Sequence, residues 1–270
     1  MKRMVMSLSY DGSAWNGWQN QNHGKTIQNC LERSIYKFTN FLVSITCSGR
    51  TDSGVHALNQ IIHIDIPFHI NLKYFFYIIN SILPYSIKIN SIKLINILFH
   101  ARFSALSRTY IYILYNSKKK ISFLDKYLGC FEQKLNTKNM KKYSKYLIGK
   151  NKFNIFEYSN YKFHYKSKII LSKLNINRYN NFVIFNFRAN LFLHKMIRKL
   201  IFILIKIGTN KKLTLNYNFL NKIYYFYIKN FFSNGLYLLN VNYPEYFGIK
   251  EFFYNELKKL LFNNLYIKQN

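Results

Sequence analysis

Apolar and polar positions alternate from the start of the chain. Met4, Met6, Leu8 and Tyr10 fall on one side of a period of two, with Val5, Ser7 and Ser9 on the other, which predicts a half-buried strand. YDGSAWNGWQNQ then breaks the pattern; it holds two glycines and both tryptophans and reads as a loop. Beyond it Ile27, Leu31, Ile35 and Phe38 recur at helical spacing, with Thr26 as the candidate N-cap. FLVSITCSG (41–49) and NQIIHIDI (59–66) read as strands joined by a tight loop, and an apolar helix over 71–83 is stopped by Pro84.

A second cycle starts near residue 99. In FHARFSALSRTYIYILYN, Tyr110, Tyr112 and Leu114 face one way and Ile111, Ile113 and Tyr115 the other. LNTKNMKKYSKYLIGK (135–150) predicts a basic amphipathic helix and NNFVIFNFRAN (180–190) a strand. FLHKMIRKLIFILIKIG (192–208) predicts a helix closed by Gly208 in C-cap position, and GLYLLNVNYP (235–244) a last strand. Residues 117–180 are otherwise poorly patterned. Strands following strands, with helices interspersed and little βαβ rhythm, indicate an α+β fold with a largely antiparallel sheet and helices packed on it. The expected division is into two similar αβ halves, 1–105 and 106–270.

Composition narrows the class. With 49% apolar and 19% aromatic residues the chain can build a sizeable core. Forty basic residues against ten acidic ones give a formal charge of +30, spread from end to end. That field favours polyanionic partners, nucleic acid or an anionic membrane surface. Ile, Lys, Asn, Phe and Tyr are all favoured by AT-rich codons, so codon bias shares in the lysine excess; it accounts less well for the missing carboxylates. A membrane-surface helix would carry Trp on its apolar face, and residues 134–149 have none.

Cys30, Cys47 and Cys130 are widely spaced with no C-x-x-C, which fits reduced thiols rather than a disulfide scaffold or a zinc site. No long apolar run with a cleavage site opens the chain. The most apolar segment, 200–207, is broken by Lys206 and too short for a bilayer. The expectation is a soluble cytoplasmic protein.

SGRTDSGVH (48–56) stands out: one of ten acidic residues sits two positions after an arginine, between Gly49 and Gly54. A tight loop between two apolar strands would mount Asp52 rigidly at a sheet edge, where functional groups are often held. Taken alone, the same loop is also a plain turn, with Asp52 bonding local N–H groups and Arg50 in solvent. Asp-Ser-Gly also occurs in aspartic proteases, where two carboxylates share a proton; this chain has a single copy. His56 and His63 lack partners at metal-ligand spacing and no H-E-x-x-H exists, so no metal is expected. His56 reads as a structural hydrogen-bonder and His63 as a core or edge residue.

GRTDSGVHALNQIIHI closely resembles the Gly-Arg-Thr-Asp-Ala-Gly-Val-His segment of the tRNA pseudouridine synthase A family. Four further segments, in the family's order, extend the likeness: YDGSAWNGWQNQ, FHARFSALSRTYIYILYN, RANLFLHKMIRKLI and GLYLLNVNYP. Phe202 departs from it, standing where the family has a helix glycine; 117–180 match weakly, and the tail 245–270 is longer and more basic.

The resemblance implies isomerisation of uridine to pseudouridine in the anticodon stem-loop of tRNAs, at positions 38–40, by a homodimer that needs neither cofactor nor metal. It implies that Asp52 is the catalytic carboxylate, attacking C1′ or removing a sugar proton, in a cleft between the two halves. Arg198 would be its guanidinium partner, with His194 one helical turn earlier and Lys195 nearby. Tyr110 would stack on the uracil and take part in catalysis. Arg50 would fill the space left by the flipped base, and Gln19, Arg108 and Lys195 would join it in contacting RNA.

Overall fold

The computed structural model describes residues 1–249 except 23, 68, 120, 151–168 and 210–228. Two compact units emerge, one of Met1–Arg108 with the chain from Tyr237 on, the other of Thr109–Leu236. Against the expected division at 105/106, the first unit takes back the last strand.

In the first unit β1 (Lys2–Tyr10) lies between two antiparallel partners, β3 (His56–Ile66) and β4 (Ile87–Ile95). Met4, Met6 and Leu8 are buried as the alternation requires, and Val5 and Ser7 are buried too, so β1 is covered on both faces. Each fully buried aliphatic side chain contributes about 1.5–3 kcal/mol over leaving it in water. β2 is only Thr46–Cys47, far shorter than the strand expected over 41–49, and pairs with β3. β10 (Leu236–Asn242) joins β3 in parallel, Tyr237 opposite His56.

Helix α1 (Ile27–Thr39) begins where Thr26 accepts from the Asn29 N–H and ends at Asn40 in the left-handed conformation, φ 53°. Its Ile27, Leu31 and Ile35 are buried, and its Phe38 ring meets Phe75 of α2 (Leu72–Ile82) edge-on at 5.9 Å. α2 packs on β4. Arg3 clamps this sheet by a two-point ion pair, Nε to Asp65 Oδ1 at 2.7 Å and Nη2 to Oδ2 at 2.6 Å.

In the second unit the strand order is β5 (Ser107–Asn116), β9 (Phe182–Ala189), β8 (Ile170–Tyr179), β7 (Gly149–Lys150), with β6 (Gly129–Phe131) on the other side of β5. β5 is buried on both faces, which is why its sequence runs apolar. β8 and β9 form an antiparallel hairpin, Tyr179 opposite Phe182, turned at Asn180 with φ 50°. Helix α3 covers only Thr137–Ser144; a 3-10 turn over Lys145–Leu147 follows and Gly149, at φ 103°, starts β7.

Helix α4 is Met196–Thr209, which corrects two expectations. His194 and Lys195 precede the helix in a turn, Lys195 with φ 59°, so His194 does not sit one turn before Arg198 on a helical face. Gly208 lies within the helix rather than capping it. A Cβ there would meet Met140 Sδ at 2.8 Å and Leu135 Cδ2 at 3.0 Å, so the glycine allows α3 and α4 to pack closely. The α+β, largely antiparallel class is borne out: both units are sheets, mostly antiparallel, and among the described residues each carries two α-helices. Among the described residues no helix is long and apolar enough to cross a membrane.

Candidate active site

The Asp52 loop leaves β2 and enters β3 through a turn in which the Val55 N–H donates to the Asp52 carbonyl at 3.1 Å. Gly54 takes φ 77°, the left-handed conformation that favours glycine, whereas Gly49 does not need it. Asp52 is half-buried and Arg50 exposed.

A buried polar network fixes this loop from beneath. Gln60, fully buried on β3, donates from Nε2 to the Gly49 carbonyl at 2.7 Å and accepts from Ser48 Oγ at 2.5 Å. Tyr10 Oη and Thr51 Oγ1 are 2.8 Å apart. Arg108, 8% exposed, donates to the Ser48 carbonyl from Nε at 3.2 Å and Nη2 at 2.9 Å, and to the Arg102 carbonyl at 2.6 Å. A satisfied buried network of this kind rigidifies what it holds, because breaking any one bond strands a partner away from water.

The opening loop, 11–26, closes on the same turn backbone to backbone. The Trp18 N–H donates to the Thr51 carbonyl at 3.0 Å, and Ser53 Oγ donates to the Trp15 carbonyl at 3.1 Å. A Cβ at Gly17, whose φ is 88°, would lie 2.8 Å from the Thr51 carbonyl oxygen and 3.1 Å from the Asp52 carbonyl carbon. One at Gly12 would collide with the Val55 carbonyl. The two glycine-bearing motifs, 43 positions apart at Gly12 and Val55, are thus one piece of structure. Gln19, half-buried, follows Trp18 directly. His56 is a structural hydrogen-bonder: its Nδ1 accepts from the Gly12 N–H at 3.2 Å and its ring stacks on Tyr237 at 4.6 Å.

The second unit carries the other expected residues. Tyr110 is 7% exposed on β5, its ring edge-on to Phe192 at 5.2 Å. Arg198 lies in the first turn of α4, half-buried. Its Nε donates to the Phe231 carbonyl at 2.7 Å while the Phe231 N–H donates to its carbonyl at 3.2 Å. Phe231 is itself held, its ring meeting Tyr112 at 5.9 Å, and Tyr112 Oη donates to the Phe232 carbonyl at 3.1 Å. Tyr110 and Tyr112 share one side of β5, so this chain of contacts ties the mount of Arg198 to the strand that carries Tyr110.

Away from these residues, burial, aided by Arg3 and His100, pushes His63 down to about 4, and its Nδ1 accepts from the Ala101 N–H at 3.1 Å. It is a neutral core histidine. Burial pushes the Cys47 thiol up to about 12, and Cys30, Cys47 and Cys130 form no disulfide. No group of three or more His, Cys, Asp and Glu among the described residues could hold a metal ion.

Sequence reasoning singled out Asp52, Arg50, Tyr110 and Arg198 but missed their supports: Gln60, Thr51, Gly17 and Phe231. Gln60 left a signal, a polar residue among the apolar ones of a strand buried on both faces. Phe231 left none among 25 phenylalanines.

A family model described as tRNA pseudouridine synthase matches residues 6–104 and 144–244. The chain is 33% identical over 255 residues to tRNA pseudouridine synthase A of Blochmanniella floridana, covering 92% of this chain and 98% of that one. It is 35% identical to the protein of that name from Wigglesworthia glossinidia brevipalpis, covering 93% and 96%. With the Bordetella avium protein of the same name the identity is 37%, covering 78% and 80%.

Proposed function

The chain belongs to the tRNA pseudouridine synthase family, and from that premise we propose that it converts uridine to pseudouridine in the anticodon stem-loop of tRNA, with Asp52 as the catalytic carboxylate. The observation that carries this reading is the mount of Asp52, a half-buried carboxylate on a turn whose neighbours are bonded by Gln60, Arg108, Tyr10 and Trp18. Rigid placement is what a reaction at one sugar carbon demands, since catalysis of this kind gains chiefly from positioning.

The reaction is an isomerisation. The N1–C1′ bond breaks, the uracil turns over, C5 bonds to C1′, and the C5 proton is lost while N1 gains one. Electrons and atoms balance without oxidant, metal or cofactor. Asp52 acts at the sugar, as nucleophile on C1′ or as base toward a sugar proton. We assign Arg198 to hold and aim that carboxylate, which a planar guanidinium does by two-point bonding; its bond to the Phe231 carbonyl orients the guanidinium plane. Tyr110 is assigned to stack on the uracil. The target base must leave its stack to reach Asp52, at a cost of a few kcal/mol, and Arg50, exposed two residues before Asp52, is assigned to the vacated space.

Gln19 and Lys195 are assigned to RNA contact. Arg108, expected there as well, is read instead as a positioning residue, because its guanidinium is buried against three main-chain carbonyls. A homodimer in the cytoplasm completes the proposal. The test is to map pseudouridine in an unmodified tRNA transcript after incubation, by carbodiimide adduct and primer extension. Stops confined to positions 38–40 are expected; stops only in other arms would contradict the assigned substrate site.

A further inference from the structure

We propose that the outer face of helix α3 is a docking surface for the phosphate backbone of tRNA. This rests on the tRNA substrate proposed above, and it adds a surface remote in sequence from every residue assigned so far. Lys138, Lys141 and Lys142 are exposed on α3 and, at 3.6 residues per turn, span an arc of about 100°; Lys145, also exposed, opens the 3-10 turn that follows. Lys134 is exposed in the segment just before the helix.

Directly opposite, Met140, Tyr143, Ser144 and Leu147 are buried. α3 packs through that side against α4 and β8.

One observation separates this face from an ordinary solvated one. Helix surfaces usually interleave signs, since like charges three and four apart repel. Here Lys138–Lys142, Lys141–Lys145, Lys138–Lys141 and Lys142–Lys145 are all such pairs, and none of these lysines pairs with an acid among the described residues. By contrast α1 mixes Glu32 with Arg33 and Lys37. A polyanion laid along the face neutralises the row and removes the repulsion. Tyr146, 47% exposed beside the row, adds an aromatic surface that tolerates sugar or base.

A membrane is the poorer occupant. Interfacial helices insert their apolar side, and the apolar side of α3 is already spent on the protein core.

The test uses the full chain carrying Lys138→Gln, Lys141→Gln, Lys142→Gln and Lys145→Gln together, and a second version with Arg at all four positions. Binding of an unmodified tRNA transcript is measured by filter retention across a salt series. Removing like charges leaves the fold intact, checked by a melt that does not fall. The Gln version is expected to lower the slope of log affinity against log salt by about three, since each phosphate contact contributes roughly 0.7–0.9, and to weaken binding at least tenfold near physiological salt. The Arg version keeps the wild-type slope. An unchanged slope in the Gln version overturns the proposal, and so does loss of phosphatidylserine-vesicle binding with tRNA binding unaltered. Wild type that binds with the full slope yet forms no pseudouridine would sink the catalytic reading and leave this surface standing.

Discussion

Arg108 holds the carbonyl of Ser48 with two of its nitrogens, Nε at 3.2 Å and Nη2 at 2.9 Å, at the root of the loop that carries Asp52. A buried guanidinium that faces main-chain carbonyls fixes backbone, not substrate. Lysine has one point of charge and cannot reproduce the fork. Arg108→Lys is therefore expected to lower stability in urea by about 1.5–3 kcal/mol, the range for hydrogen bonds to a charged group, and to lower kcat more than it raises KM for tRNA. A variant with wild-type kcat and a raised KM would place Arg108 on RNA.

Gly17→Ala tests the seam between the two glycine motifs. The new Cβ would press on the Thr51 carbonyl from a residue at φ 88°, where left-handed backbone costs a non-glycine residue on the order of 1–2 kcal/mol. Since the displaced atoms belong to Thr51 and Asp52, the loss of turnover should exceed what the loss of stability explains. Gly24→Ala, also at positive φ (102°) but against the Asn16 side chain, serves as the control and should spare kcat. Equal losses in both would deny the seam its role.

How much of this was legible beforehand depends on what each residue's neighbours are. β1 could be read because Met4, Met6 and Leu8 obey a period that a sheet imposes locally, and Thr26 because an N-cap is local too. β8 was hidden because its register shifts between Leu171 and Lys173, so its buried residues, Leu171, Leu174 and Ile176, do not keep one period. The start of α4 was misread because a lysine gives no warning of φ 59°, and His-Lys-Met continues the helical pattern unbroken. Asp52 was legible through a motif, while the contact of Gly17 with Thr51 is made between loops far apart in sequence and has no local signature.

Acid should weaken the first unit through His63. Its folded value, about 4, lies below the ordinary 6.5, so the unfolded chain takes up the proton first. Stability is full above pH 6.5 and falls as the pH drops toward 4, by at most about 3 kcal/mol at 1.36 kcal/mol per unit. The Arg3 guanidinium holds Asp65 below its usual range, so that pair's contribution is lost at still lower pH. Urea midpoints of wild type and His63→Asn between pH 7 and 4.5 check this; parallel profiles would show that His63 is not the titrating group.

Arg198→Lys keeps the charge and loses both the Nε–H that bonds the Phe231 carbonyl and the planar fork beyond it. The expected outcome is a fall in kcat of a hundredfold or more, about 2.7 kcal/mol at 1.36 kcal/mol per decade, with tRNA affinity within a factor of three. Near-normal turnover would refute its assignment to the carboxylate.

The most direct measurement is tritium release from an anticodon arm labelled at uridine C5, with wild type and Asp52→Asn assayed side by side. The substitution removes the carboxylate and almost no volume. Release by the wild type, none by Asp52→Asn, and equal RNA binding by both are expected. Release by Asp52→Asn at a comparable rate, or none by a wild type that binds the arm, would contradict the role given to the loop around Asp52.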